Sequence, residues 1–126
     1  MTYPPAFAIA AASPAVTGLL GSNPTRFWPP GMAPQNETRP YAVFQTVYGT
    51  PENTLSCPPD IDLFGVQIDA YGKTLTEARE VLTALTEAFE AENFVVSGWN
   101  GEEREPATLL YRAGATVEFW VARATS

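Results

Sequence analysis

The sequence contains no histidine. That removes the commonest general base near neutral pH and the commonest transition-metal ligand, and with them the Ser/His/Asp and Cys/His nucleophile arrangements. Its one cysteine, Cys57, can form neither an internal disulfide nor a thiolate metal site alone, so an incidental loop thiol is expected and nothing asks for an oxidising compartment. Positive charge is scarce as well. Seven Lys and Arg face fourteen Asp and Glu, a formal net charge of −7, which disfavours a nucleic-acid surface built on phosphate neutralisation. Long hydrophobic runs are also missing. The Ala-rich stretch near the start has no basic residue before it, follows Pro4 and Pro5, and is broken by Ser13 and Pro14, well short of the roughly 20 residues a membrane span needs. The expectation is a cytoplasmic protein with no membrane segment.

What is present points to a folded chain. A length of 126 residues fits one domain, residues 1–126, that buries a core without metal or disulfide support. With 45% apolar residues and 12% aromatics, the twelve prolines do not imply wholesale disorder. The prolines punctuate mainly the first 60 residues.

In chain order, Pro5 at a first-turn position and the alanines to residue 12 predict a short helix. Ser13 caps a second, with Pro14 at its start and Gly21 as its stop. This helical corner is expected to bury Phe7, Ile9 or Ala10, Val16, Leu19 and Leu20. A short strand over 25–28 ends at Pro29 and Pro30, which cannot donate to a ladder. Two β-branched and aromatic runs, 41–48 and 61–71, then form a hairpin around the breaker-rich segment 49–60. In the second run, Phe64, Val66, Ile68 and Ala70 share one face while Gly65, Gln67 and Asp69 share the other. The first run is apolar on both faces, Tyr41, Val43 and Val47 opposing Ala42, Phe44 and Tyr48, which calls for a second layer or a partner chain. Thr74 and Glu77 match a capping box, and Ala78, Val81, Leu82, Leu85, Ala88 and Phe89 recur at helical spacing until Asn93. Residues 94–97 read as a short strand, Asn100 and Gly101 as a turn, 101–106 as an acidic loop, and 109–122 as a last strand with a bulge at Gly114. The sum is an α+β fold: an antiparallel sheet, one main amphipathic helix on one of its faces, and the helical corner.

Taken together, certain motifs resemble a known family. They are the run from Ala8 to Gly21, Arg26, the stretch from Pro29 to Gln35, Arg39-Pro40-Tyr41, Thr50-Pro51-Glu52-Asn53, Asp60-Ile61-Asp62, the strand from Val66 to Tyr71, and Ala78-Arg79. In order and spacing these resemble the small tail-completion, or tail-terminator, proteins of long-tailed bacteriophages and phage-like particles. The resemblance implies a structural virion protein and no enzyme, with no catalytic residue, cofactor or metal. It implies a homo-oligomeric ring, typically a hexamer, at the head-proximal end of the tail, assembled in the host cytoplasm. The ring would halt the tube protein's polymerisation and meet the head-tail connector, and DNA would pass its lumen without specific binding. A negative lumen suits that passage.

The candidate interface residues are Tyr41, Val43 and Tyr48 on the first hairpin strand, Glu52, Asn53, Thr54, Leu55 and Asp60 in the hairpin loop, and the charged run Glu102, Glu103 and Arg104. The long loop is read as the working part, because loops on a rigid sheet commonly carry binding. Two other readings stand beside this one. A small adaptor module would pair through a sheet edge. A magnesium-dependent hydrolase would use Asp60, Asp62, Asp69, Glu102 and Glu103, since hard cations accept oxygen ligands alone.

Overall fold

The computed structural model describes residues 3–34, 38, 40–51 and 61–122. Two short helices, α1 (Ala6–Ala12) and α2 (Pro14–Leu20), precede a two-residue strand β1 (Phe27–Trp28). The hairpin follows as β2 (Tyr41–Pro51) and β3 (Ile61–Gly72), then the long helix α3 (Leu75–Ala91), and finally β4 (Val95–Arg104) and β5 (Tyr111–Ala122). No helix among the described residues is long and apolar enough to cross a membrane.

Helix α3 starts where local chemistry dictates. Thr74 Oγ1 accepts the backbone N–H of Glu77 at 3.1 Å, and Glu77 Oε1 reaches back to the backbone N–H of Lys73 at 2.9 Å, so two N–H groups at the helix start find side-chain acceptors. Its apolar stripe, Ala78, Val81, Leu82, Leu85 and Phe89, is buried as the spacing predicts, and Ala84 and Thr86 join it. Thr86 avoids an unpaired hydroxyl by donating to the Leu82 carbonyl. Asn93 takes φ 68°, the left-handed stop expected of it.

At the other end of the chain, Ser13 Oγ accepts from Val16 N, Pro14 is the first residue of α2, and Gly21 ends it at φ 78°. The inward face of this corner is smaller than expected. Ala6 and Ala10 point in, one turn apart, while Phe7 is 42% exposed. Small side chains let the helix approach the core closely, and that turns Phe7 outward.

The five strands order as β1-β2-β3-β5-β4. All pairs are antiparallel except the first, since Phe27 and Trp28 run parallel to Ala42 and Val43. The sheet is therefore mixed, which corrects the purely antiparallel expectation. The path from β1 to β2 leaves through Pro29 and Pro30 and returns in the same direction instead of folding back as a hairpin. Helices α1, α2 and α3 form one layer against one sheet face. Between the layers lie Phe27, Phe64, Phe89 and Phe119 with Leu20, Ile68, Leu85, Val16, Val66, Val81 and Val117. Phe119 touches Phe89 edge-on at 5.3 Å and Phe94 at 4.4 Å between ring centroids.

The last third of the chain departs most from the sequence reading. Asn100 and Gly101 make no hairpin turn. They sit in one of two bulges that interrupt the long strand β4, one between Val96 and Gly98 and one between Trp99 and Glu102. Gly101 adopts φ 83° there. The true turn is 105–110, so Glu102, Glu103 and Arg104 belong to an edge strand and not to an acidic loop. Gly114 carries no bulge, because the β3–β5 register is continuous through it. It instead leaves room for an ion pair, as a Cβ placed there would lie 2.6 Å from Asp69 Oδ1.

Candidate assembly interface

The face of the sheet opposite the helices carries no helix or strand among the described residues. Register places on it Tyr41, Val43 and Gln45 of β2, Leu63 to Tyr71 of β3 at alternate positions, and Arg112, Gly114, Thr116, Glu118 and Trp120 of β5. Tyr48 joins them through an irregularity. The β2–β3 register shifts between Thr46 and Tyr48, so Val47 is bulged out and Tyr48 moves to the open face. Strict alternation would have put it with Ala42 and Phe44. The expected surplus apolar face of β2 is thus real in composition but differently made.

Toward the hairpin end, this face presents one contiguous patch. Tyr48 pairs across to Gly65, Gly65 to Glu118, and Glu118 to Val95, while Leu63 pairs with Trp120 in the adjoining row. Tyr48, Ile61, Val95 and Trp120 each expose between 39% and 47% of their surface. The Tyr48 ring lies flat across Gly65 and its hydroxyl donates to Glu118 Oε2 at 2.9 Å. Burial and then the Glu118 carboxylate push the Tyr48 pKa up, because both disfavour the phenolate. An exposed aromatic held in one orientation loses little entropy when a partner covers it.

The opposite end of the face is polar but internally satisfied. Arg112 Nη1 donates to Asp69 Oδ1 at 2.9 Å and its Nε to Glu103 Oε1 at 3.1 Å, while Gln67 Nε2 donates to Asp69 Oδ2 at 3.1 Å. Burial works against the Arg112 charge, and these carboxylates more than offset it, holding its pKa above the ordinary value. Tyr41 stacks on Tyr71 at 5.1 Å beside this network. Burial, then Glu105 and Asp69, drive the Tyr71 pKa upward.

The predicted interface residues are brought together only in part. Tyr41, Val43, Tyr48 and Glu103 share the open face. Glu102 and Arg104 point to the helix side of β4, where Glu102 pairs with Arg79 and Arg104 lies over the Tyr111 ring at 5.6 Å. The Arg79 hydrogen bond holds the Glu102 pKa below the usual carboxylate value. Glu52, Asn53, Thr54, Leu55 and Asp60 lie outside the described residues, as does Cys57. Sequence reasoning missed Leu63, Val95, Glu118 and Trp120; what hid the patch was the strand order. The described carboxylates of the hydrolase reading do not converge, and Asp60 lies outside the described residues. Asp62 and Asp69 face opposite sides of β3, Glu102 and Glu103 opposite sides of β4, and the last two and Asp69 are each engaged by an arginine. Among the described residues no group of three or more acidic or thiol side chains is placed to hold a metal ion.

A groove of about 410 Å³ opens between α3 and β4, walled by Leu82, Trp99 and Ala113 and rimmed by the Arg79–Glu102 pair. Trp99 is 67% exposed there, since α3 covers β3 and β5 more fully than the edge strand.

Comparison with known proteins adds the family. A solved structure titled "Virion of native gene transfer agent (GTA) particle" includes a chain similar to this one at 10% identity and a TM-score of 0.66, over 94% of this chain and 92% of that one. At that identity the likeness shows a shared fold. Comparison with curated proteins gave no match. Residues 6–122 match the family described as Tail completion protein gp17, from the first residue of α1 to the last of β5. The chain accordingly belongs to the tail completion protein gp17 family and is a structural protein of the phage virion tail.

Proposed function

We propose that the chain works as one domain that assembles into a closed homohexameric ring at the head-proximal end of the tail tube, stops the tube's polymerisation and joins the tail to the head connector. The observation that carries this reading is the open aromatic face of the sheet in a tail completion protein, because an exposed patch of that size and composition on a small chain marks a protein contact. A head-to-tail ring needs two different patches per subunit. The lateral edges of the sheet supply them: β2 beyond Val43, where β1 no longer pairs with it, and β4 with its exposed Trp99. The hairpin loop 52–60 and the residues Tyr41, Val43, Tyr48, Glu102, Glu103 and Arg104 belong to the contacts with neighbouring subunits, tube and connector. No step of this role requires catalysis. DNA passes the lumen unbound, since six copies at −7 each approach a formal charge of roughly −40.

The test is to delete the gene from the particle's operon and image the products. Tubes of unregulated length without heads are expected, together with a discrete hexamer mass for the purified protein. Tubes of normal length joined to heads would overturn the reading.

A further inference from the structure

Of the five asparagines in the chain, Asn100 alone precedes a glycine. An asparagine in that position is open to a reaction of the chain with itself, in which the backbone nitrogen of the next residue attacks the side-chain amide carbon. Glycine permits the close approach that a Cβ would crowd. The other four asparagines are poorly placed for it. Asn23 precedes Pro24, which has no N–H, and Asn93 precedes Phe94, whose N–H donates to the Phe89 carbonyl at 3.2 Å. Asn36 and Asn53 precede Glu37 and Thr54, which both carry a Cβ.

The fold presents Asn100 and Gly101 to solvent. Both are exposed, and they lie on β4, the edge strand of the sheet. The β4–β5 register steps from Trp99 opposite Ala115 to Glu102 opposite Ala113, so neither Asn100 nor Gly101 has a register partner. Gly101 takes φ 83°, and a Cβ built on it would meet nothing within 4 Å, which leaves the space around it open. The Asn100 carboxamide reaches toward β5, where its Nδ2 donates to Thr116 Oγ1 at 2.9 Å. A hydroxyl that accepts from this nitrogen at rest has a rotatable proton to give it when the nitrogen leaves.

We infer that Asn100 is a site of spontaneous deamidation in the folded chain, with the Thr116 hydroxyl as proton donor to the departing nitrogen. The Gly101 backbone nitrogen forms a bond to Asn100 Cγ and gives up its proton to solvent. The bond from Cγ to Nδ2 breaks, and Nδ2 leaves as ammonia with a proton from Thr116, which regains one from water. The product is a five-membered succinimide. Water then adds to one of its two carbonyl carbons and returns a proton to the ring nitrogen, giving aspartate if the new bond to Cγ breaks and isoaspartate if the original peptide bond breaks. Isoaspartate lengthens the main chain by one methylene at a point where the bulge already accommodates an extra residue, so the strand absorbs it. Either product sets a carboxylate beside Thr116 and adds one negative charge to an acidic chain.

The experiment incubates the dilute full chain in mildly alkaline buffer made with heavy-oxygen water and maps its peptides by mass spectrometry, with fragmentation that separates aspartate from isoaspartate. Asn100 is expected to convert to both products with one solvent oxygen incorporated, while the other four asparagines persist. Gly101→Ala is expected to slow the conversion by at least about tenfold. Thr116→Val keeps the shape of the β5 side chain, removes the hydroxyl and is expected to slow the loss of ammonia; it serves as the second variant, since alanine is strained at the Gly101 φ. Asn100 left intact in the folded chain while the urea-unfolded chain converts it would overturn the inference, as would conversion of Asn36 or Asn53 ahead of Asn100. A rate unchanged in Thr116→Val overturns the part assigned to the hydroxyl.

Discussion

At Gly65 a side chain has nowhere to go. A Cβ built there falls 2.1 Å from Tyr48 Cε1, so Gly65→Ala must lift the ring from the sheet and break its bond to Glu118. We expect a loss of about 1–3 kcal/mol in urea unfolding, as for overpacked sites. Adding Tyr48→Ala to that variant should recover most of it, and strictly additive effects of the two changes would contradict the seat described here. The tyrosines also give a prediction in pH. Tyr48 and Tyr71 have folded-state pKa values raised above the unfolded value near 10, so the folded state holds their protons longer. Their contribution is fully present below pH about 10 and is lost as pH rises beyond it toward the folded-state values. Phenolate absorbance should show late-titrating tyrosine signal that Tyr48→Phe and Tyr71→Phe each reduce.

At the scale of elements, α3 holds the sheet in place and its two ends differ in what they contribute. Phe89 is fully buried against Phe27 and Phe119, so Phe89→Ala is expected to cost about 3–5 kcal/mol. Thr74→Ala removes one acceptor at an exposed helix start and should cost about 1 kcal/mol. Equal losses in a thermal unfolding series would show that the helix does not depend on its apolar stripe. The two edges of the sheet are managed differently as well. Strand β4 is blunted by two bulges, a known defence against unplanned pairing. Strand β2 keeps a straight edge only where β1 covers it, at Ala42 and Val43, and shifts register just beyond.

For the whole molecule the net charge of −7 sets the assembly conditions. Subunits of the proposed ring would repel one another, and salt screens that repulsion over a Debye length of about 8 Å at physiological ionic strength. The concentration needed for ring formation should therefore fall as salt is added, measured by sedimentation velocity at several ionic strengths. Rings that dissociate on adding salt would mean that ion pairs between subunits, not apolar contacts, hold them together.

The local rules of the chain were legible without coordinates. The capping pair Thr74 and Glu77, the stripe from Ala78 to Phe89, the cap at Ser13 and Pro14, and the inward set Phe64, Val66, Ile68 and Ala70 follow from periodicity and hydrogen-bonding chemistry acting over a few residues. So does the α+β class, and the motif order carried the family. What sequence left undecided depends on contacts between distant segments. A register shift at Val47 moved Tyr48 to the other face, the parallel pairing of β1 made the sheet mixed, and bulges turned the Asn100–Gly101 signal into part of a strand. Strand order then brought Tyr48, Leu63, Val95, Glu118 and Trp120 into one patch, although they span four strands. The sequence by itself determined which segments are amphipathic, because burial periodicity is a local property. Only the tertiary structure decided which side chains share the open face, because register and strand order are settled by pairing energies summed across the whole sheet.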